Sequence, residues 1–136
     1  FLIHDGNGRL LLQKRSKDTR DEQGRWDIGG GAVEFGETLE AALLRELQEE
    51  YQVVPKSYEQ TRIGTALREN NGKLTHWIFV NFKVLVDPKD IRIGEPEKID
   101  EVGWFTEHNL PSPLHSMFPI ALEVAHEHNL LLTKGR

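Results

Sequence analysis

GGGAVEFGETLEAALLRELQEEYQV, residues 29–53, is the stretch whose reading decides the fold. Three glycines lead through a short mixed segment into a run rich in Ala, Leu, Glu and Arg. From Thr38 to about Tyr51 the composition predicts a helix, with Thr38 placed to cap its first turn. On a wheel at about 100° per residue, Leu39, Ala42, Leu43 and Leu47 form an apolar stripe. Glu46 and Glu50 each fall about 20° from Leu39, and Glu49 lies at the stripe's edge. The carboxylates therefore stand at the C-terminal end of the face that should be buried, while Ala41 and Gln48 lie opposite.

A solvated acidic face accounts for most acidic helices, but it fits this one badly. Glutamates spaced i, i+3 and i+4 repel by about 0.2–0.5 kcal/mol per pair. Burying carboxylates without a partner is far more costly, and the macrodipole opposes negative charge at a helix C-terminus. Each penalty reverses when a divalent cation sits between them, and magnesium suits a site made only of oxygens. The glycines offer a second wall, because a backbone without side chains can come close to a metal or a phosphate. Glu37, eight residues before Arg45, can pair with that arginine and fix the loop against the helix.

Working outward, residues 1–4 and 9–14 are apolar segments split by Asp5-Gly6-Asn7-Gly8, a strong hairpin signal. Residues 16–24 read as a polar loop. Strands are expected at 58–68 and 74–86, joined by Asn70-Asn71-Gly72-Lys73. Gly94–Lys98 is a charged loop, 102–105 a short strand, Leu110–Pro113 a break, and 115–128 a closing helix. Strands interleaved with two helices imply a single α/β domain, a mixed sheet with helices packed on it.

Composition narrows the function. The 136 residues are 38% hydrophobic and 29% charged, which is ordinary for a globular chain. There is no cysteine, so disulfides and thiolate chemistry are excluded. The net charge of −5 disfavours a nucleic-acid polymer as partner. No apolar run approaches the roughly 18–20 residues of a membrane span. The chain opens on Phe1-Leu2-Ile3, apparently inside a strand, so residues are expected to precede it, and a targeting segment could lie there. Trp26, Trp77 and Trp104 read as core aromatics, and His126 and His128 as surface positions. Among Arg15, Lys17, Arg20 and Arg25, which surround the loop before the glycines, one or two could reach substrate phosphates.

In this register the chain resembles the Nudix hydrolase superfamily. The signature of that family runs Gly, five residues, Glu, seven residues, Arg-Glu-apolar-x-Glu-Glu-x-Gly-apolar. Gly31, Glu37, Arg45-Glu46-Leu47, Glu49-Glu50 and Val53 match it, and only Gln52 departs, where glycine is usual. LLLQKRS and WDIGGG before the motif and EVGWFTEHNLP after it extend the likeness over most of the chain, although Gly29 stands where many members have proline.

The resemblance implies a Nudix-type α/β/α sandwich spanning residues 1–136. It also implies hydrolysis of a nucleoside diphosphate linked to another group by attack of water at phosphorus. By position, Glu46, Glu49 and Glu50 would be metal ligands for Mg²⁺, or Mn²⁺ in its place, joined by the Gly30 carbonyl. Arg45 would orient a glutamate, and Glu37 would brace it. A further acid would come from the 94–98 loop, with Glu97 preferred and Glu95 the neighbouring candidate. Arg15, Arg25 and Gly31 would face the substrate. The implied partner is a small nucleotide diphosphate derivative in the cytoplasm; the oligomeric state is left open, and a homodimer, common in the family, is compatible with it. A domain that has lost catalysis and only binds is the alternative, but all three glutamates are retained. A prenyl diphosphate isomerase-like activity is weaker still, since those enzymes rely on a cysteine.

Overall fold

LLLQKR, residues 10–15, is the strand on which the sheet is assembled. This strand, β2 (Leu10–Arg15), shares one edge between β1 (Leu2–His4) at its start and β3 (Trp26–Asp27) at its end. Its other edge is taken by β6 (Ile99–Phe105), and all three pairings are antiparallel. β1 then runs parallel to β5 (Lys73–Leu85), which forms a long hairpin with β4 (Ser57–Asn70). The result is a six-stranded mixed sheet in the order β3-β2-β1-β5-β4, with β6 beside β2. The computed structural model describes residues 1–131.

Alternation along β2 explains why both faces of the sheet are covered. Leu11 points to one side, into a cluster with Leu43, Leu47 and Tyr51 of α1 (Leu39–Tyr51). Leu10 and Leu12 point to the other, into a cluster with Phe118, Ala121 and Val124 of α2 (Phe118–Glu127). Side chains one apart on a strand face opposite ways, so three consecutive leucines need a helix on each face. The expected α/β/α sandwich is what forms. Among the described residues no helix is long and apolar enough to cross a membrane.

The ends of α1 follow from its caps. Thr38 Oγ1 accepts the Ala41 amide at 3.0 Å, as a capping threonine should. Gln52 leaves the helix at φ 53° and ψ 42°, its amide donating to the Gln48 carbonyl at 3.0 Å. The left-handed exit normally given to glycine is thus kept by a side chain that is exposed. The segment after β5 satisfies two more of the terminal carbonyls: Arg92 N–H donates to Tyr51 O at 3.0 Å and Gly94 N–H to Glu50 O at 2.8 Å. A Cβ at Gly94 would collide with the Glu49 carbonyl, so only glycine permits this approach.

Three expectations change. Leu39 is 42% exposed and does not belong to the buried stripe, which consists of Ala42, Leu43, Leu47, Glu50 and Tyr51. A wheel gives an angle but no position along the axis, and the first turn projects beyond the core. Trp77 is 46% exposed and is not a core aromatic, because it lies on the outer part of the β4–β5 ribbon. That ribbon also runs further than expected. Asn71 and Gly72 both take positive φ, 54° and 78°, and close a two-residue turn that lets pairing reach Asn70 and Lys73.

Replacing Gln52 by glycine should stabilise the fold by about 0.5–1 kcal/mol, since the left-handed strain exceeds the added entropy of the unfolded chain. A higher urea midpoint with unchanged slope is the expected reading.

Candidate active site

The last two turns of α1 carry three glutamates with three different surroundings. Glu50 is only 4% exposed, Glu46 is partly buried, and Glu49 is exposed. Glu50 thus occupies a core position, as its angle on the helix requires. Its Oε2 is buried and has no hydrogen-bond partner. Burial, reinforced by the charge of Glu46 and then Glu95, pushes the Glu50 carboxyl up to about 8, while a hydrogen bond from the Gly30 backbone opposes the rise. Burial also raises Glu46, against the stabilising pull of Arg45.

The glycine loop fits against these acids. A Cβ on Gly31 would overlap the Glu46 carboxylate, so the absent side chain is the space that Glu46 fills. At Gly30 a Cβ would meet nothing, and this residue is exposed. Gly29 is buried, and a side chain there would strike the Phe1 ring.

Arg45 gathers the charges. Its Nε and Nη2 donate to the two oxygens of Glu37 at 2.8 and 2.9 Å, a bidentate pair. Nη1 donates to Glu46 Oε1 at 2.8 Å and to Glu49 Oε2 at 3.3 Å, and Nη2 also reaches the Ala32 carbonyl at 2.9 Å. The arginine holds the Glu37 carboxyl down to about 2. Glu37 Oε1 in turn accepts the Glu34 amide at 2.8 Å, so one arginine ties the loop to the helix.

The other expected site residues are distributed differently. Glu95 follows Gly94 at the end of α1, is partly buried, and its charge acts on Glu46 and Glu50. Glu97 is exposed, and its backbone carbonyl accepts Ser16 Oγ at 2.6 Å. Arg15 is engaged by Asp21 at 2.9 Å, and Arg25 donates to the Leu114 carbonyl at 3.0 Å, so both brace the loop between β2 and β3. A feature the sequence did not single out is a cavity of about 110 Å³ lined by Asp27, Ile28, Phe79, Asn81 and Met117. It opens between β5 and α2, beside the start of the glycine loop. His115, also unremarked, is buried and lies 2.9 Å from Glu22 through Nε2. Neither has a sequence signal, because each joins segments far apart in the chain.

The donor set suits a hard divalent cation. Among the described residues no three acidic or imidazole side chains form a ready-made cage, and Glu46 and Glu49 are instead turned to Arg45. Yet a buried carboxylate oxygen without a partner, a second carboxylate in the space left by Gly31, and the backbone carbonyl of the exposed Gly30 are all oxygen donors. Such oxygens match magnesium or manganese better than softer metals.

Comparison with known proteins gives a consistent answer. The NUDIX domain family matches residues 1–127. A nucleoside triphosphatase, NudI of Enterobacter sp. (strain 638), is 28% identical over 79% of this chain and 80% of its own. An ADP-ribose pyrophosphatase of Methanocaldococcus jannaschii is 29% identical over 81% of this chain but only 61% of its own length. The crystal structure of a MutT NUDIX hydrolase from Burkholderia pseudomallei superposes with a TM-score of 0.74 at 30% identity, covering 90% of this chain and 94% of that one.

Without divalent ions, Glu50 should weaken the fold as pH rises. Its folded value of about 8 lies above the ordinary 4.5, so its contribution is intact below about pH 4.5 and is lost as pH climbs to 8. Urea unfolding at pH 5 and pH 8 should differ by on the order of 3 kcal/mol, and Glu50→Gln should remove most of that difference. Gly31→Ala should displace Glu46 and weaken Mg²⁺ binding at least tenfold by calorimetry.

Proposed function

Because the chain belongs to the NUDIX domain family, we propose that it hydrolyses the diphosphate linkage of a nucleotide derivative by attack of water at phosphorus. The observation that carries this reading is Glu50, a buried carboxylate with an unpartnered oxygen beside Glu46 and the glycine loop. A purely structural helix would place an apolar side chain there.

In this reading Glu46, Glu49, Glu50 and the Gly30 carbonyl would hold Mg²⁺, with Mn²⁺ able to replace it. When bound, the ion would offset the diphosphate charge and lower the pKa of a water so that its deprotonated form can attack phosphorus. Arg45 keeps Glu46 and Glu49 at the site while Glu37 fixes the guanidinium. The acid supplied by the 94–98 loop is better assigned to Glu95 than to Glu97, since the charge of Glu95 is felt by both Glu46 and Glu50. Glu95 would accept or relay the proton that the attacking water loses. Gly31 leaves the loop backbone open to the phosphates. Arg15 and Arg25 act from the edge, where their present partners must yield before either touches substrate. The cavity lined by Phe79, Ile28 and Asn81, at about 110 Å³, is too small to enclose a nucleoside and could take at most an edge of one.

The substrate range stays within nucleoside triphosphates, ADP-ribose and sugar nucleotides, the first two being the classes named for the relatives above. A cytoplasmic setting and the pairing of two chains belong to the same proposal.

A panel of these nucleotides with Mg²⁺ should give nucleoside monophosphate or pyrophosphate release that chelation abolishes. Glu50→Gln should lower kcat about 10³-fold or more with the fold intact, a scale typical for losing an electrostatic or acid–base group. Glu95→Gln should cost at least tenfold more than Glu97→Gln. Equal rates for the two variants would return the role to neither residue, and full activity of Glu50→Gln would refute the site.

A further inference from the structure

Two polar side chains are buried under the glycine loop and take no part in the hydrolysis described above. Tyr51, the last residue of α1, is 1% exposed, and Gln13 of β2 is 7% exposed. The Tyr51 hydroxyl donates to Gln13 Oε1. Gln13 shares a strand face with Leu11, and Leu11 packs with Leu43, Leu47 and Tyr51 in the cluster beneath α1. The pair therefore sits among apolar side chains. Gln13 also stands opposite Asp27 in the β2–β3 register, two residues before Gly29. A Cβ added to Gly29 would come within 3.3 Å of the Tyr51 hydroxyl oxygen and would strike the Phe1 ring. That ring meets Tyr51 edge-on, with centroids 6.4 Å apart. The Gly29 carbonyl accepts from the Phe1 backbone nitrogen at 2.8 Å.

A position that only needed filling would carry phenylalanine and leucine. Burying a hydroxyl and an amide costs free energy that one hydrogen bond roughly offsets, so an apolar pair of the same shape would be about as stable. What a satisfied polar pair adds is a unique geometry, since the hydrogen bond admits one placement of the ring where apolar contact allows several. We propose that Tyr51 and Gln13 are positioning residues, whose hydrogen bond sets the depth at which Gly29 rests on the core and thereby places the Gly30 backbone over Glu50. The link is short. Glu50 and Tyr51 are consecutive on α1, and Gly29 and Gly30 are consecutive in the loop. Tyr51 lies under the first glycine, while the Gly30 backbone donates to the Glu50 carboxylate. A shift of the loop on Tyr51 therefore alters the spacing of two oxygen donors, the Gly30 carbonyl and Glu50. The value of that spacing for catalysis rests on the metal-dependent hydrolysis proposed above; the support of the loop by the pair does not.

Tyr51→Phe removes the hydroxyl alone, and adding Gln13→Leu removes both partners. Tyr51→Phe should lower the urea midpoint, because Gln13 is left buried and unpaired, and the double variant should regain it. The loop and the metal should not follow stability. Without metal, exchange of the Gly30 amide, followed by NMR, should quicken about tenfold in both variants, the scale of one lost hydrogen bond. Amides of β2 in the double variant should keep their original rates. Mg²⁺ affinity by calorimetry should fall about tenfold or more in both variants, as is usual when a group that orients a metal ligand is removed. Unchanged Gly30 exchange in Tyr51→Phe would overturn the assignment. So would recovery of Gly30 exchange together with the urea midpoint in the double variant, or unchanged Mg²⁺ affinity in variants of a chain that binds Mg²⁺. The hydrolase reading fails separately. If the unaltered chain neither binds Mg²⁺ nor cleaves nucleotides, while Gly30 exchange still depends on Tyr51, that reading is refuted and the positioning role stands.

Discussion

Glu50 puts a carboxylate where the helix packing calls for an apolar side chain, and much of the surrounding structure can be understood as accommodating it. The residue lies on the same face of α1 as Leu43 and Leu47, one turn nearer the C-terminus. Its carboxyl is deprived of water and raised to about 8. Hydrophobic burial of its neighbours holds it in place, since releasing Glu50 to solvent would require turning Leu47 and Tyr51 out of the core as well. The helix therefore presents a group that binds a proton or a cation far more readily than a surface glutamate does.

Arg45 is the counterpart. It neighbours Glu46 in sequence and lies one helical turn before Glu49, yet its strongest pairing is with Glu37 in the loop. That bidentate contact joins the glycine loop to the helix by a rigid fork and leaves one guanidinium nitrogen for Glu46 and Glu49. The acids are thus kept near one another without full mutual repulsion. Gly31 and Gly94 complete the arrangement by withholding side chains at the two places where backbone meets the end of α1. The helix terminus itself is satisfied from outside, by amides of Arg92 and Gly94.

The scaffold supports this corner through β2. Its three leucines anchor both helices, while β1 and β3 divide its edge and leave the chain to run from Asp27 into the glycines. The long ribbon extends away from that centre and contributes Phe79 and Asn81 to the cavity on one face. On the other face Ile63, Leu67, Leu74 and Ile78 are exposed together with Thr65, Glu69 and His76.

The sequence by itself determined the helix from Thr38 to Tyr51, the two hairpins, the closing helix and the grouping of Glu46 and Glu50 near the apolar side. These are local matters, settled by capping, turn residues and a periodicity that operate over a few residues. It also carried the Nudix pattern through Gly31, Glu37, Arg45 and the glutamates. Only the tertiary structure decided that Leu39 is exposed, that Trp77 lies on a projecting ribbon, that Glu95 is partly buried while Glu97 is exposed, and that Arg15 and Arg25 are held by loop partners. Each of these depends on where one segment stops against another, and a one-dimensional pattern records angle and spacing but not the distance at which packing ends.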